Sequence, residues 1–77
     1  MATVRMWTGR ESRALREAKR MTVREFAKHL GVSERTISKW EAAAADICPR
    51  PEMQAALDTA LEKSVDDVKS RFLQALH

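Results

Sequence analysis

The chain has no tyrosine, only two glycines and two prolines, a single cysteine, and no apolar run approaching the roughly 20 residues that a membrane span needs. Each shortage excludes something. Strand signals are missing while Ala, Leu, Glu, Lys and Arg are abundant, which speaks against sheets and for an all-α fold. One thiol, Cys48, cannot close an internal disulfide, and with His29 and His77 it does not make up a zinc site. Nothing near Cys48 would turn it into an activated thiolate, so it reads as a bystander in a loop. The opening residues MATVRMW lack the apolar core of a secretory signal, which makes the cytoplasm the expected location.

What is present fits one small soluble domain. Hydrophobic residues make up 44% of the 77 positions and charged residues 32%, a balance that argues against disorder. A chain of this size buries only roughly 60% of the surface its unfolded form exposes, so stability is modest. Residues 1–50 hold eleven Lys or Arg against six Asp or Glu, whereas residues 51–77 hold three against five. The front half is therefore basic and the back half acidic. A positive surface suits phosphates, although basic helices are also commonly just solvated faces.

The most informative stretch is Thr22 to Glu41, TVREFAKHLGVSERTISKWE. Thr22 followed three residues later by Glu25 is a capping box, and Ser33 caps a second run in which Ile37 and Trp40 recur at helical spacing. Gly31 lies between the two starts, where the first helix needs a left-handed residue, and Val32 then plugs the turn. Two short helices joined this way form a helix-turn-helix. The helix before Gly31, about residues 23–30, buries Phe26, Ala27 and Leu30 and exposes Arg24, Lys28 and His29. Its free amides and dipole favour an anion such as a DNA phosphate, or simply water.

At about 100° per residue, with Glu34 set at about 0°, Ile37 falls at about 300° and Trp40 at about 240° on the helix expected over residues 34–41. Arg35, Ser38 and Lys39 then face the opposite way. Glu34 stands at the flank in the first turn, where its carboxylate either complements the dipole or accepts from a cytosine amine. Glu41 leans toward the buried side and needs a cation, and Arg16 borders the core stripe of the first helix; the alternative is that Glu41 reaches water.

Around this motif the rest of the chain reads as support. Residues 1–8 form an N-terminal arm and 9–77 the domain. Arg5 is either a minor-groove contact or part of a plain tail. Thr8 with Glu11 sets the first helix at about 9–20, with Ala14, Leu15, Ala18 and Met21 on its apolar face. Ala42 to Ala45 contain no glycine to stop the third helix, which can run on. Pro51 suits the start of a fourth helix with Met53, Ala56, Leu57, Ala60 and Leu61 inward. Ser64 with Asp67 predicts a capping box for a fifth helix to about residue 75, whose apolar face is Val65, Val68, Phe72 and Leu76. Asp66 and Asp67 sit in a first turn as dipole partners rather than as a catalytic dyad. Leu73 and Leu76 either complete the core or invite self-association. The end at QALH leaves open that this is the front part of a longer protein.

These landmarks, Arg16, the run MTVREFAKHLGVS, Ile37 and the pair Trp40 and Glu41, resemble the lambda repressor/Cro-like helix-turn-helix domains, the XRE group; Trp7 before the first helix and the PRP of Pro49 to Pro51 before the fourth resemble the form found in actinomycete regulators. The resemblance implies a five-helix domain that binds operator DNA as a homodimer, with the helix at about 34–41 in the major groove. It implies base contacts from Glu34, Arg35 and Lys39, a phosphate contact from the cap Ser33, and an internal ion pair of Arg16 with Glu41; the outward Ser38 joins the expected base contacts, and Thr22, Arg24, Thr36 and Arg50 the expected phosphate contacts. No cofactor, metal or effector is called for, no membrane is involved, and the setting is the nucleoid. Two positions depart from the family's pattern. Val23 stands where a phosphate-binding Gln is customary, which leaves that contact to Thr22 or Arg24, and the glycine usual soon after the Glu is absent.

Two other uses of such a chain compete with DNA binding. The same fold can present its third helix to another protein, a reading that salt dependence separates from DNA binding. An enzyme would require a nucleophile, base or metal cluster that the sequence does not offer.

Overall fold

The computed structural model describes Val4 and residues 6–76, so the readings made for Arg5 and His77 lie outside the described residues. Five helices follow in order: α1 Gly9–Ala18, α2 Val23–Leu30, α3 Glu34–Ala43, α4 Pro51–Glu62 and α5 Asp66–Ala75, with one 3₁₀ turn over Ala44–Asp46. Among the described residues there is no strand. The all-α, five-helix expectation holds.

Capping chemistry explains where the first three helices begin. Thr8 and Thr22 each sit in extended backbone and close a capping box with Glu11 and Glu25, and the Ser33 hydroxyl accepts from the Thr36 amide at 3.1 Å. Pro51 occupies the first turn of α4, where its missing N–H is no loss. The fifth helix begins differently from its sequence signal. Val65, not Ser64, is the N-cap, and it supplies no side-chain bond. The Ser64 hydroxyl instead donates back to the Ala60 carbonyl at 2.7 Å, within the last turn of α4, so it is unavailable to α5. Val65 also leaves the apolar face assigned to it and is 68% exposed.

Two further boundaries move. The first helix stops at Ala18, short of residue 20, because Lys19 caps it and Arg20 turns left-handed at φ 57°. The third runs to Ala43, where Ala44 breaks it at φ 50°, ψ −122°.

One side chain with at most 1% exposure comes from each part of the chain: Trp7 from the lead-in, Leu15 from α1, Phe26 from α2, Ile37 from α3, Leu57 from α4 and Phe72 from α5. Burying a side chain of this kind is worth about 1.5 to 3 kcal/mol, so the six form the main cohesive unit of the fold. Met21, Leu30, Met53, Val68 and Leu76 pack at its margin, partly buried, while Leu73 remains 42% exposed. Trp7 does more than fill space. Its amide donates to Gln54 Oε1 at 2.7 Å, its carbonyl accepts from Gln54 Nε2 at 2.8 Å, and its indole N–H donates to Asp58 Oδ1 at 2.7 Å. The ring packs against Phe72 with centroids 5.4 Å apart.

The end of α3 lies directly against the start of α1. A Cβ on Gly9 would stand 1.8 Å from the Trp40 carbonyl oxygen and 2.9 Å from that of Ala44, so only glycine fits there. The Gly9 amide in turn donates to the Ile47 carbonyl at 3.2 Å. This contact fixes how closely the end of α3 packs against α1.

Candidate nucleic-acid interface

The turn between α2 and α3 is built on Gly31 at φ 77°, ψ 31°. A Cβ at Gly31 would meet no atom within 4 Å, so the glycine serves backbone conformation and not space. Val32 N–H donates to the Ala27 carbonyl at 2.9 Å, closing α2, and the Val32 side chain packs against the core. Ser33 then opens α3.

Along α3 the two faces separate cleanly. Ile37 and Trp40 are buried, Thr36 and Glu41 half-buried, and Glu34, Arg35, Ser38 and Lys39 exposed. The four residues assigned to bases thus share the solvent side of one helix. The Ser33 and Thr36 hydroxyls lie 2.9 Å apart and hydrogen-bond to each other. Whichever donates, one hydroxyl proton stays available to an outside acceptor.

Thr22, Ser33 and Arg50, all assigned to phosphate, are the N-cap residues of α2, α3 and α4. Helix starts carry unpaired N–H groups and partial positive charge, which suit phosphate oxygens. At α2 part of that capacity is used internally, since the Thr22 amide donates to Glu25 Oε1 at 2.9 Å and the Glu25 amide to the Thr22 hydroxyl at 3.1 Å. Hydrogen bonding to the Glu25 carboxyl from the Thr22 amide first and the Thr22 side chain second holds it below its ordinary pKa. The amides of Val23 and Arg24 remain for an anion.

The side of α3 opposite its exposed face is held by charge. Arg16 Nε donates to Glu41 Oε2 at 2.6 Å and Nη2 to Oε1 at 3.0 Å, while Nη1 reaches the Met21 carbonyl at 3.0 Å. One guanidinium therefore ties together α1, the entrance to α2 and α3. Its hydrogen bonds to Glu41 raise the pKa of Arg16 further. Arg13 is a second, looser partner of Glu41 at 3.9 Å.

Among the described residues, every ion-paired arginine lies on α1, namely Arg10, Arg13 and Arg16. Arg24, Arg35, Lys39 and Arg50 are exposed and form no ion pair among the described residues. Positive charge that is unneutralised and grouped around a helix-turn-helix is the electrostatic footprint of a polyanion surface. A shallow cleft of about 190 Å³ between α1, the end of α3 and Ala75 contains none of these residues. Among the described residues no three His, Cys, Asp or Glu side chains group to hold a metal ion, and Cys48 is exposed. Among the described residues no helix is long and apolar enough to cross a membrane.

Sequence reasoning did not find Gln54 and Asp58 as the anchors of Trp7, nor Gly9 as the seat of α3; all depend on contacts between distant segments, which local spacing does not encode. A family model described as a helix-turn-helix domain matches residues 7–70. Neither curated proteins nor solved structures yield a match.

Proposed function

The chain belongs to the helix-turn-helix domain family, and from that premise we propose that it is the sequence-specific DNA-binding domain of a bacterial transcriptional regulator of the XRE type. The observation that carries this reading is the exposed face of α3, where Glu34, Arg35, Ser38 and Lys39 stand together opposite buried Ile37 and Trp40. In this mechanism α3 lies in the major groove. Arg35 donates two bonds to guanine O6 and N7, worth about 1 to 3 kcal/mol of discrimination, and Lys39 reads a neighbouring acceptor or a phosphate. Ser38 bonds to either kind of base edge, and Glu34 accepts from cytosine. Thr22, Arg24, Ser33, Thr36 and Arg50 grip phosphates and fix register without reading sequence. Two copies bind a palindromic operator, and its occupation excludes polymerase, which gives repression in the cytoplasm without a cofactor or effector.

A random-duplex selection at about 0.15 M salt tests the proposal, because non-specific contacts are weakened there. The expected product is a motif of two half-sites about 10 to 10.5 base pairs apart, whose preference at particular base pairs flattens in Arg35→Ala. A selection without enrichment overturns specific readout and favours use of the same α3 face against a protein.

A further inference from the structure

We propose that Arg20, in the turn between α1 and α2, is a DNA-backbone contact that acts with Arg24 across the entrance to α2; the assignment rests on the DNA-binding reading above. Arg20 is the first residue after the cap of α1 and adopts φ 57°, with its amide donating to the Glu17 carbonyl at 3.0 Å. The backbone there asks for a left-handed residue, which glycine supplies without steric conflict. Nothing in the turn uses the guanidinium. Among the described residues the Arg20 side chain is exposed and makes no hydrogen bond or ion pair.

Among the described residues no ion pair compensates that charge. Arg24, four residues on, is also exposed and unpaired. The nearest carboxylates in the chain are engaged elsewhere: Glu17 pairs with Arg13 at 3.5 Å, and Glu25 accepts from the Thr22 amide at 2.9 Å. Between the two arginines lie the Thr22 cap and the unclaimed amides of Val23 and Arg24. Val23 supplies no polar side chain at this helix start. Two guanidiniums flanking it provide what a polar side chain would have given, with a full charge added. Two residues of chain carry Arg20 at most about 7 Å from Thr22, a separation short enough for its long side chain to span to a phosphate at the α2 start or its neighbour.

The test compares wild type, Arg20→Gly and Arg20→Lys for thermal unfolding and for the salt dependence of binding to the selected duplex. Arg20→Gly is expected to raise the unfolding midpoint by roughly 4 °C, since glycine suits the turn, yet to bind less tightly. Loss of one phosphate contact lowers the slope of log affinity against log salt by about 0.9 and weakens binding about eightfold at about 0.1 M salt, equally for all sequences. Arg20→Lys keeps the wild-type slope. A more stable Arg20→Gly with an unchanged slope overturns the assignment and leaves the DNA reading standing. Wild type that binds no duplex at low salt removes both, and normal salt dependence with Arg35→Ala unaltered in sequence preference separates failed base readout from failed backbone contact.

Discussion

Arg16 and Glu41 face each other across α1 and α3 with two hydrogen bonds of 2.6 and 3.0 Å, and their side chains are only 16% and 13% exposed. This pair holds α3 from behind. Arg16→Ala strands the Glu41 carboxylate with only the distant Arg13 at 3.9 Å and frees the Met21 carbonyl. A loss of about 2 to 4 kcal/mol in stability is expected in denaturant unfolding, and Arg16→Lys should recover little of it because the two-point geometry is lost. Full recovery by lysine would refute the geometric account.

Gly9→Ala should destabilise by about 3 kcal/mol, because the added methyl collides with the backbone of Trp40 and Ala44 rather than with a side chain that can swing away. Thermal unfolding of the variant measures this directly. A shift smaller than about 0.5 kcal/mol would mean that α3 can retreat from α1 at little cost.

Ala44→Gly should move stability the other way. At φ 50° and ψ −122° alanine occupies backbone space that suits glycine, and relief of that strain is worth about 1 kcal/mol. The unfolding midpoint should rise by roughly 4 to 8 °C.

Ser12 is completely buried, and among the described residues its hydroxyl has no hydrogen-bond partner. Removing an unsatisfied polar group leaves the packing and deletes its desolvation cost, so Ser12→Ala should be neutral or more stable by about 1 kcal/mol. Clear destabilisation in a chemical melt would show that the hydroxyl has an unseen partner.

Acid should weaken the start of α1. Burial pushes the Glu11 carboxyl up, but hydrogen bonds from the Thr8 hydroxyl and amide outweigh it and hold the pKa below the ordinary 4.5. A depressed carboxylate stabilises the fold fully above that ordinary value, and the contribution disappears as pH falls through the lower folded value. Unfolding midpoints recorded from pH 7 downward should therefore begin to drop near pH 4.5, and Glu11→Gln, which does not titrate, should drop less steeply. Parallel curves for the two proteins would place the acid sensitivity elsewhere, with Glu25, also depressed, as the next carboxylate to test.

The sequence made α2 and its turn legible because their determinants are local: Thr22 and Glu25 meet within one turn, and Gly31 is needed for its φ alone. Phe26, Ala27, Ile37 and Trp40 followed from helical spacing for the same reason. The errors came where a distant or neighbouring group outcompeted a local signal. Ser64 looked like a cap until the Ala60 carbonyl claimed its hydroxyl, and Val65 then turned to solvent. Arg20 and Ala44 end helices in conformations that their side chains do not announce. The exposed face of α3 emerged from the helical wheel, whereas the hold of Gly9 on its far end did not, since that requires knowing which backbone passes over it.

The bonds from Trp7 to Gln54 and Asp58, and its stacking on Phe72, have a consequence in time. A chain made from its front end must expose this indole until residue 72 has been added, which at about 5 to 20 residues per second leaves it waiting roughly 3 to 13 s. The helix-turn-helix leaves the ribosome well before the α4 and α5 segments that shelter Trp7. The nascent protein thus carries a large apolar ring without its pocket until the last two helices follow.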